Sequence, residues 1–341
     1  PEGKYDNPLT GKPYQNLYKD KKWELDGETV SKTYANMGKV WSKLEVYKNK
    51  GLNVLGVEPC GSAANTAINK GIPTKKSFFN YDTAKVILKE MGAADIISAA
   101  NVFYHVEELH DIVKGIKLLL NKNGVFVVQG TYLPHLIERN EFDIIYHEHL
   151  LYYRIENLNY LLSMHGLEVF DVEFAAVHGG SFIAYIAHKG SREQSSQVES
   201  TIKRERDLEL HTIKPYLAFA DRVHQLKSDI CDLLSRLKQE GKSIYAYGAP
   251  AKGTVMINFC SLNVDTISCA VEVNKEKIGT YVPGTSIKVL NEETTPEPDY
   301  YFLLSWNFLD VFKKQPIFLE GIRKFIVPVP SVDIITNDMD E

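Results

Sequence analysis

DIISAANVFYHVEELHDIVKGIKLLLNKNGVFVVQG, residues 95–130, decides the fold class. Its two ends, DIISAANVF (95–103) and GVFVVQG (124–130), are short apolar runs of the kind that form strands buried on both faces. Between them VEELHDIVKGIKLLL (106–120) spaces its apolar residues as a helix does, and NKNG turns the chain into the second strand. Strand, helix and strand in that order make a parallel unit, because parallel neighbours need a crossover of about a dozen residues or more.

The pattern repeats on both sides. Upstream, VWSKLEVYKNKG (40–51) reads as an amphipathic helix closed by Gly51, and NVLGVE (53–58) as a buried strand ending in an acid. A helix over 62–70, the run SFF (77–79) and a helix over 83–91 follow. Downstream, GLEVFDVEF (166–174) and SFIAYIAHKG (181–190) form a hairpin at the edge of the sheet. Residues 191–239 are polar and helical, with the charge run KRERDLE, and are expected to be a long solvated bridge. Beyond it SIYAYG (243–248), ISCAVEVN (267–274), YYFLLSWN (300–307) and KFIVPVP (324–330) read as strands of a smaller parallel sheet, with APAKG a turn that opens the helix TVMINFCSL. The turn-rich start, with KYDNPLTGKPYQ, reads as an arm. The expected organisation is therefore an arm over 1–30, a first α/β domain over 31–190, a helical bridge over 191–239 and a second α/β domain over 240–341.

Composition excludes several classes. The chain has 341 residues, 44% apolar and 24% charged, with a formal charge of −5, so it has no basic footprint for nucleic acid. No apolar run is long enough to span a bilayer, so no membrane partner is expected. Four scattered cysteines, Cys60, Cys231, Cys260 and Cys269, form no CxxC pair, fit no zinc-site spacing and suit a reducing, cytoplasmic setting. Oligomeric state is not legible.

YHEHL (146–150) is the densest chemical cluster. A histidine takes up a proton near neutral pH, and a neighbouring carboxylate fixes its tautomer. HEH is not HExxH, so helical zinc geometry is ruled out; if extended, the segment turns His147 and His149 to one side and Glu148 to the other. His105 and Glu58 each follow a strand, where α/β sheets bind ligands, and an acid in the place of Glu58 accepts from ribose hydroxyls. The glycine loop that should accompany such an acid is reduced, in TYANMGKVW, to Gly38, with Lys39, Val40 and Trp41 where small residues let a ligand approach. HGGS (178–181) reads as a turn; YGAPAKG (247–253) is either a tight turn or a phosphate cradle using Lys252.

GVEP (56–59) with GIPT (71–74), ANVFYHVEEL (100–109), NEFDIIYHEHLLYY (140–153), HGGS, YGAPAKG, YVPGTSIKVL (281–290) and WNF (306–308) together resemble the S-adenosylmethionine-dependent C-methyltransferases of nucleotide-linked keto-deoxysugars, over roughly residues 51–330. The resemblance implies a class I methyltransferase-like Rossmann domain, a helical bridge and a second, smaller Rossmann-like domain that closes over the nucleotide end of the substrate. It implies that His149 is the general base, with Tyr146, Glu148 and His105 beside it in the catalytic group. Glu58, Gly38 and Asn101 fall on the cofactor side, and His147, His178 and Lys252 on the substrate side. The implied partner is a nucleotide-linked keto sugar, methylated through an enolate without a metal. The reduced loop at Gly38 keeps two alternatives open: a non-catalytic nucleotide-sugar-binding relative, and an isomerase or epimerase that uses the same base without a methyl donor.

Overall fold

The computed structural model describes residues 24–25, 28–29, 32–36, 41–175, 180–321 and 323–337, those before 44 by their backbone alone. Within the expected arm, Glu24–Leu25 and Glu28–Thr29 pair antiparallel. Gly38 and His178 lie outside the described residues. The chain divides into two units, 1–133 with 150–211, and 134–149 with 212–341.

The first unit holds β1 (Lys32–Asn36), β2 (Asn53–Val57), β3 (Thr74–Lys75), β4 (Ala94–Ala100), β5 (Leu120–Thr131), β6 (Leu167–Ala175) and β7 (Ser181–His188). Their order is β3-β2-β1-β4-β5-β7-β6, parallel except for β7, which runs antiparallel to both neighbours. Helices α1 (Trp41–Asn49), α2 (Gly61–Asn69), α3 (Tyr81–Met91) and α4 (Leu109–Leu119) provide the crossovers. After β5, α5 (Leu133–Glu138) opens an excursion to the second unit; α6 (Ile155–Ser163) and α7 (Ser196–Asp207) belong again to the first. The strand runs are apolar on both faces because both are covered. Ile97, Ala99, Phe126 and Val128 enter one core with Ile112, Val113 and Ile116 of α4. Ile96, Val125 and Val127 enter another with Ile183 and Tyr185. Alternation along a strand thus sorts each residue to its layer.

Several details differ from the sequence reading. β1, the strand between β2 and β4, was not expected: Lys32–Asn36 is too short and mixed for periodicity to mark it, and its pairing on both sides defines it. The strand near SFF is instead Thr74–Lys75, in register with Gly56–Val57. Phe79 is buried in the core, and Asn80 caps α3 by accepting from the Thr83 amide at 2.8 Å. The bridge is two helices rather than one long solvated rod. α7 buries Val198, Thr201 and Glu205, the chain breaks with Glu209 at φ 54°, and α8 (Lys214–Gln239) buries a stripe of Val223, Leu226, Ile230, Leu234 and Leu237 in the second unit.

The second unit has β8 (Ile244–Tyr247), β9 (Ala270–Glu272), β10 (Val289–Asn291), β11 (Tyr300–Leu303), β12 (Phe325–Val327) and β13 (Asp333–Ile335), in the order β10-β9-β8-β11-β12-β13. All pairs are parallel except β12 with β13. α9 (Ala251–Phe259) follows β8. Val289–Asn291 and Asp333–Ile335 are three-residue edge strands that gave no sequence signal. No helix among the described residues is long and apolar enough to cross a membrane.

Candidate active site

In the first unit Glu58 and Asn101 stand at the carboxyl ends of β2 and β4, the strands on either side of β1, where ligands sit in open α/β sheets. Glu58 directly follows β2, and its Oε1 accepts from the Cys60 amide at 2.8 Å, which fixes the carboxylate above the start of α2. Asn101 directly follows β4 in the left-handed conformation, φ 56°, which asparagine tolerates better than most residues. Its amide donates to the Gln129 carbonyl at 2.9 Å. Its side-chain Oδ1 is buried with no hydrogen-bond partner among the described residues. A buried acceptor in that state is costly in a native fold, and a bound ligand carrying a donor would satisfy it. An acid and an unsatisfied buried acceptor suit the hydroxyl and amino donors of an adenosyl group.

His105 ends the turn Phe103–His105 and is exposed, its ring 4.6 Å from that of Tyr104. The Tyr104 carbonyl accepts from the Leu150 amide at 2.9 Å, where the chain re-enters the first unit after His149.

The remaining catalytic candidates belong to the excursion and pack with the second unit. The YHEH run is a turn and not an extended strand: the His149 amide donates to the Tyr146 carbonyl at 2.9 Å. His147 and Glu148 are exposed at its tip, so His147 and His149 do not alternate along a strand as expected. The turn instead brings the rings of Tyr146 and His149 within 4.1 Å of each other. His149 Nδ1 lies 2.8 Å from the Ile144 carbonyl oxygen. A carbonyl only accepts, so Nδ1 carries the hydrogen and Nε2 is the basic nitrogen. Burial, with the Glu148 and Asp143 carboxylates, pushes the Tyr146 hydroxyl above its ordinary pKa and keeps it a donor.

Three residues that sequence reasoning did not single out for the site, Glu141, Asp143 and Trp306, stand beside this turn together with Lys252. Glu141 and Asp143 are fully buried. The Trp306 indole N–H donates to Asp143 Oδ2 at 2.7 Å. Lys252 Nζ sits 3.7 Å from the centre of the Trp306 ring and donates to Asn307 Oδ1 at 2.5 Å. Lys252, expected at a phosphate, thus has its ammonium engaged inside the second unit. Burial lowers its pKa to about 8 against the pull of the Asp143 and Glu141 carboxylates. Burial also raises the Asp143 carboxyl and pushes Glu141 up to about 8. Acids at alternate positions in EFDII carry no sequence sign of burial, because a surface turn would read the same way.

A methyltransferase domain matches residues 36–172, and a C-methyltransferase C-terminal domain matches residues 176–330. C-methyltransferase NovU of Streptomyces niveus is 32% identical over 317 residues, covering 92% of this chain and 75% of that protein. The chain belongs to the C-methyltransferase family. As a member of that family it is an enzyme, its first unit has the class I methyltransferase fold, and its methyl donor is S-adenosylmethionine. Among solved structures, magnesium protoporphyrin IX methyltransferase of Synechocystis is 12% identical with a TM-score of 0.38, over 49% of this chain and 79% of that one. N-methyltransferase NodS of Bradyrhizobium japonicum is 13% identical with a TM-score of 0.36, over 49% of this chain and 90% of that one. Among the described residues no group of three or more His, Cys, Asp or Glu is placed to hold a metal ion.

Proposed function

We propose that this C-methyltransferase acts on a nucleotide-linked keto-deoxysugar, at the carbon next to the ketone, through an enolate. The observation that carries the reading is the fixed tautomer of His149: with Nδ1–H held by the Ile144 carbonyl, Nε2 is presented as a base. A C–H beside a ketone is acidic enough for such a base to remove its proton. Tyr146, kept protonated by its surroundings, donates to the oxygen on which charge develops, with His105 as the second donor candidate. Glu148 supplies negative charge beside this pair and favours the imidazolium that results. His147 and His178 are assigned to the sugar nucleotide.

S-adenosylmethionine supplies an electrophilic methyl group. Glu58 accepts from its ribose hydroxyls, Asn101 Oδ1 accepts from a donor of the adenosyl group, and Gly38 is assigned to the same cofactor. Orientation of the two substrates contributes much of the remaining rate.

The test is incubation of the purified enzyme with S-adenosylmethionine and a nucleotide-linked keto-deoxysugar, followed by mass spectrometry. A gain of one methyl group is expected, and His149→Ala is expected to abolish it with the fold unchanged by circular dichroism. Near-normal turnover of that variant removes His149 as the base. Exchange of the sugar C–H with solvent deuterium, without methylation, would replace transfer by isomerase chemistry.

A further inference from the structure

The second unit has the strand order of a nucleotide-binding sheet, with the order of the strands reversing between the parallel β8 and β11. In such sheets the crevice at the carboxyl ends of these two strands takes the ligand. Here the groups that would line it are bonded to one another. A Cβ at Gly248, which has φ +82°, would lie 2.6 Å from Ser305 Oγ, and one at Gly253 would lie 2.8 Å from Leu304. The loops after β8 and β11 therefore close on each other. Glu272, the acid ending β9, accepts from the Ala249 amide at 3.2 Å and from the Val273 and Asn274 amides, and Lys277 donates to the Ala249 carbonyl at 2.9 Å.

What these loops do hold is the excursion from the first unit. Arg222 of α8 donates to the Ile137 carbonyl at 2.7 Å and to Asn140 Oδ1 at 2.9 Å, and Asn140 donates to the Pro330 carbonyl at 3.0 Å. Phe142 enters the core of the second unit, 4.9 Å from the Phe259 ring. Asp143 is gripped by Trp306, from the loop after β11, and Trp306 is backed by Lys252, from the first turn of α9. Three separate motifs of the sequence, NEFDII, YGAPAKG and WNF, meet at this one point.

We propose that the second sheet's crevice is a clasp and not a nucleotide site: it holds the 140–144 segment through Asp143, Trp306 and Lys252, and Asp143 and Trp306 are positioning residues for the Tyr146–His149 turn. The positioning role rests on the function proposed above; the clasp itself does not. Lys252 then serves as the cation of the clasp. The indole N–H bonds one oxygen of a carboxylate that would otherwise be buried alone, and the ammonium, held by Asn307 and the Trp306 ring, favours its charged form from beyond ion-pair distance.

Hydrogen exchange on the full chain, read by mass spectrometry, tests the clasp without reference to turnover. In Trp306→Phe, which keeps an aromatic face for Lys252 but loses the donor, amides of 140–149 are expected to exchange at least about tenfold faster, as is a segment released by loss of one buried bond. Asp143→Ala should do the same, and Asp143→Asn, which retains an acceptor for the indole, should restore most of the protection. Amides of α4 and β5 should be unchanged in all three. Unchanged protection of 140–149 in Trp306→Phe, or equal loss throughout β8 and β11, overturns the clasp. In the methyl-transfer assay kcat should fall about tenfold or more, as misplaced catalytic groups require, while the Kd for S-adenosylmethionine stays within about twofold. Loss of protection with unchanged kcat overturns the positioning role. Absence of methyl transfer in the unmodified enzyme overturns the proposed function and leaves the exchange result to decide the clasp.

Discussion

Glu141 has both carboxylate oxygens buried without a hydrogen bond among the described residues, and its nearest cation, Arg139, stands 3.9 Å away. Burial raises its pKa from 4.5 to about 8, so the folded chain binds this proton more tightly than the unfolded chain does. The stability it contributes is complete below pH 4.5 and is lost as pH rises through about 8. Glu141→Gln cannot titrate. Urea unfolding of the two proteins at intervals between pH 5 and 8 should show a smaller loss of stability with rising pH in the variant, and parallel curves would mean that Glu141 is ionised throughout. Asn101 offers a cleaner test of the cofactor side. Asn101→Gly removes the unsatisfied Oδ1 while keeping a residue at ease with φ 56°. Loss of one ligand hydrogen bond should weaken S-adenosylmethionine about tenfold by calorimetry. Unchanged affinity would assign the buried acceptor to something other than the donor.

At the level of elements, α7 is tied to the first unit by one carboxylate. Glu205, fully buried, accepts from the Tyr132 hydroxyl at 2.9 Å and from the Ile155 and Glu156 amides at 2.7 and 3.0 Å. The last two are amides of the first turn of α6, which an anion stabilises. Glu205→Ala strands all three donors and should destabilise the protein by about 3 kcal/mol in urea unfolding. A change below about 0.5 kcal/mol, the range of ordinary surface substitutions, would mean α7 is held by its apolar contacts and by the Arg206–Glu156 ion pair. Glu205 also shows where sequence reading stops. In KRERDLE it is one charge among several, and periodicity assigns the whole run to solvent. The strands at 53–57, 94–100 and 244–247 were legible because their apolar runs need cover on both faces. Lys32–Asn36 was not, because its partners β2 and β4 are distant in sequence and only their pairing makes it a strand. The same division holds at the site. Tyr146, His149, Glu58 and Asn101 are chemically conspicuous or stand at strand ends. Asp143 and Trp306 are 163 positions apart, and nothing in either local stretch announces the bond between them.

For the molecule as a whole, two units with separate cores and separate sheets put Glu58 and Asn101 in one unit and the YHEH turn in the other. A ligand that binds one folded unit stabilises that unit by mass action, by about 2.7 kcal/mol at a hundred times its Kd. S-adenosylmethionine at that excess should therefore slow exchange of the amides of β2, β4 and β5, where Glu58 and Asn101 stand. The amides of β8, β11 and α9 should respond less, since the groups at the carboxyl ends of their sheet are bonded to one another. Glu58→Ala should reduce the protection in the first unit and leave the exchange of β8 unchanged. The pattern of protection, rather than its size, is decisive. Protection centred on β8 and α9 would put the donor at the second sheet, withdraw Glu58 and Asn101 from the cofactor side, and give YGAPAKG a ligand-binding part in place of its support of Trp306.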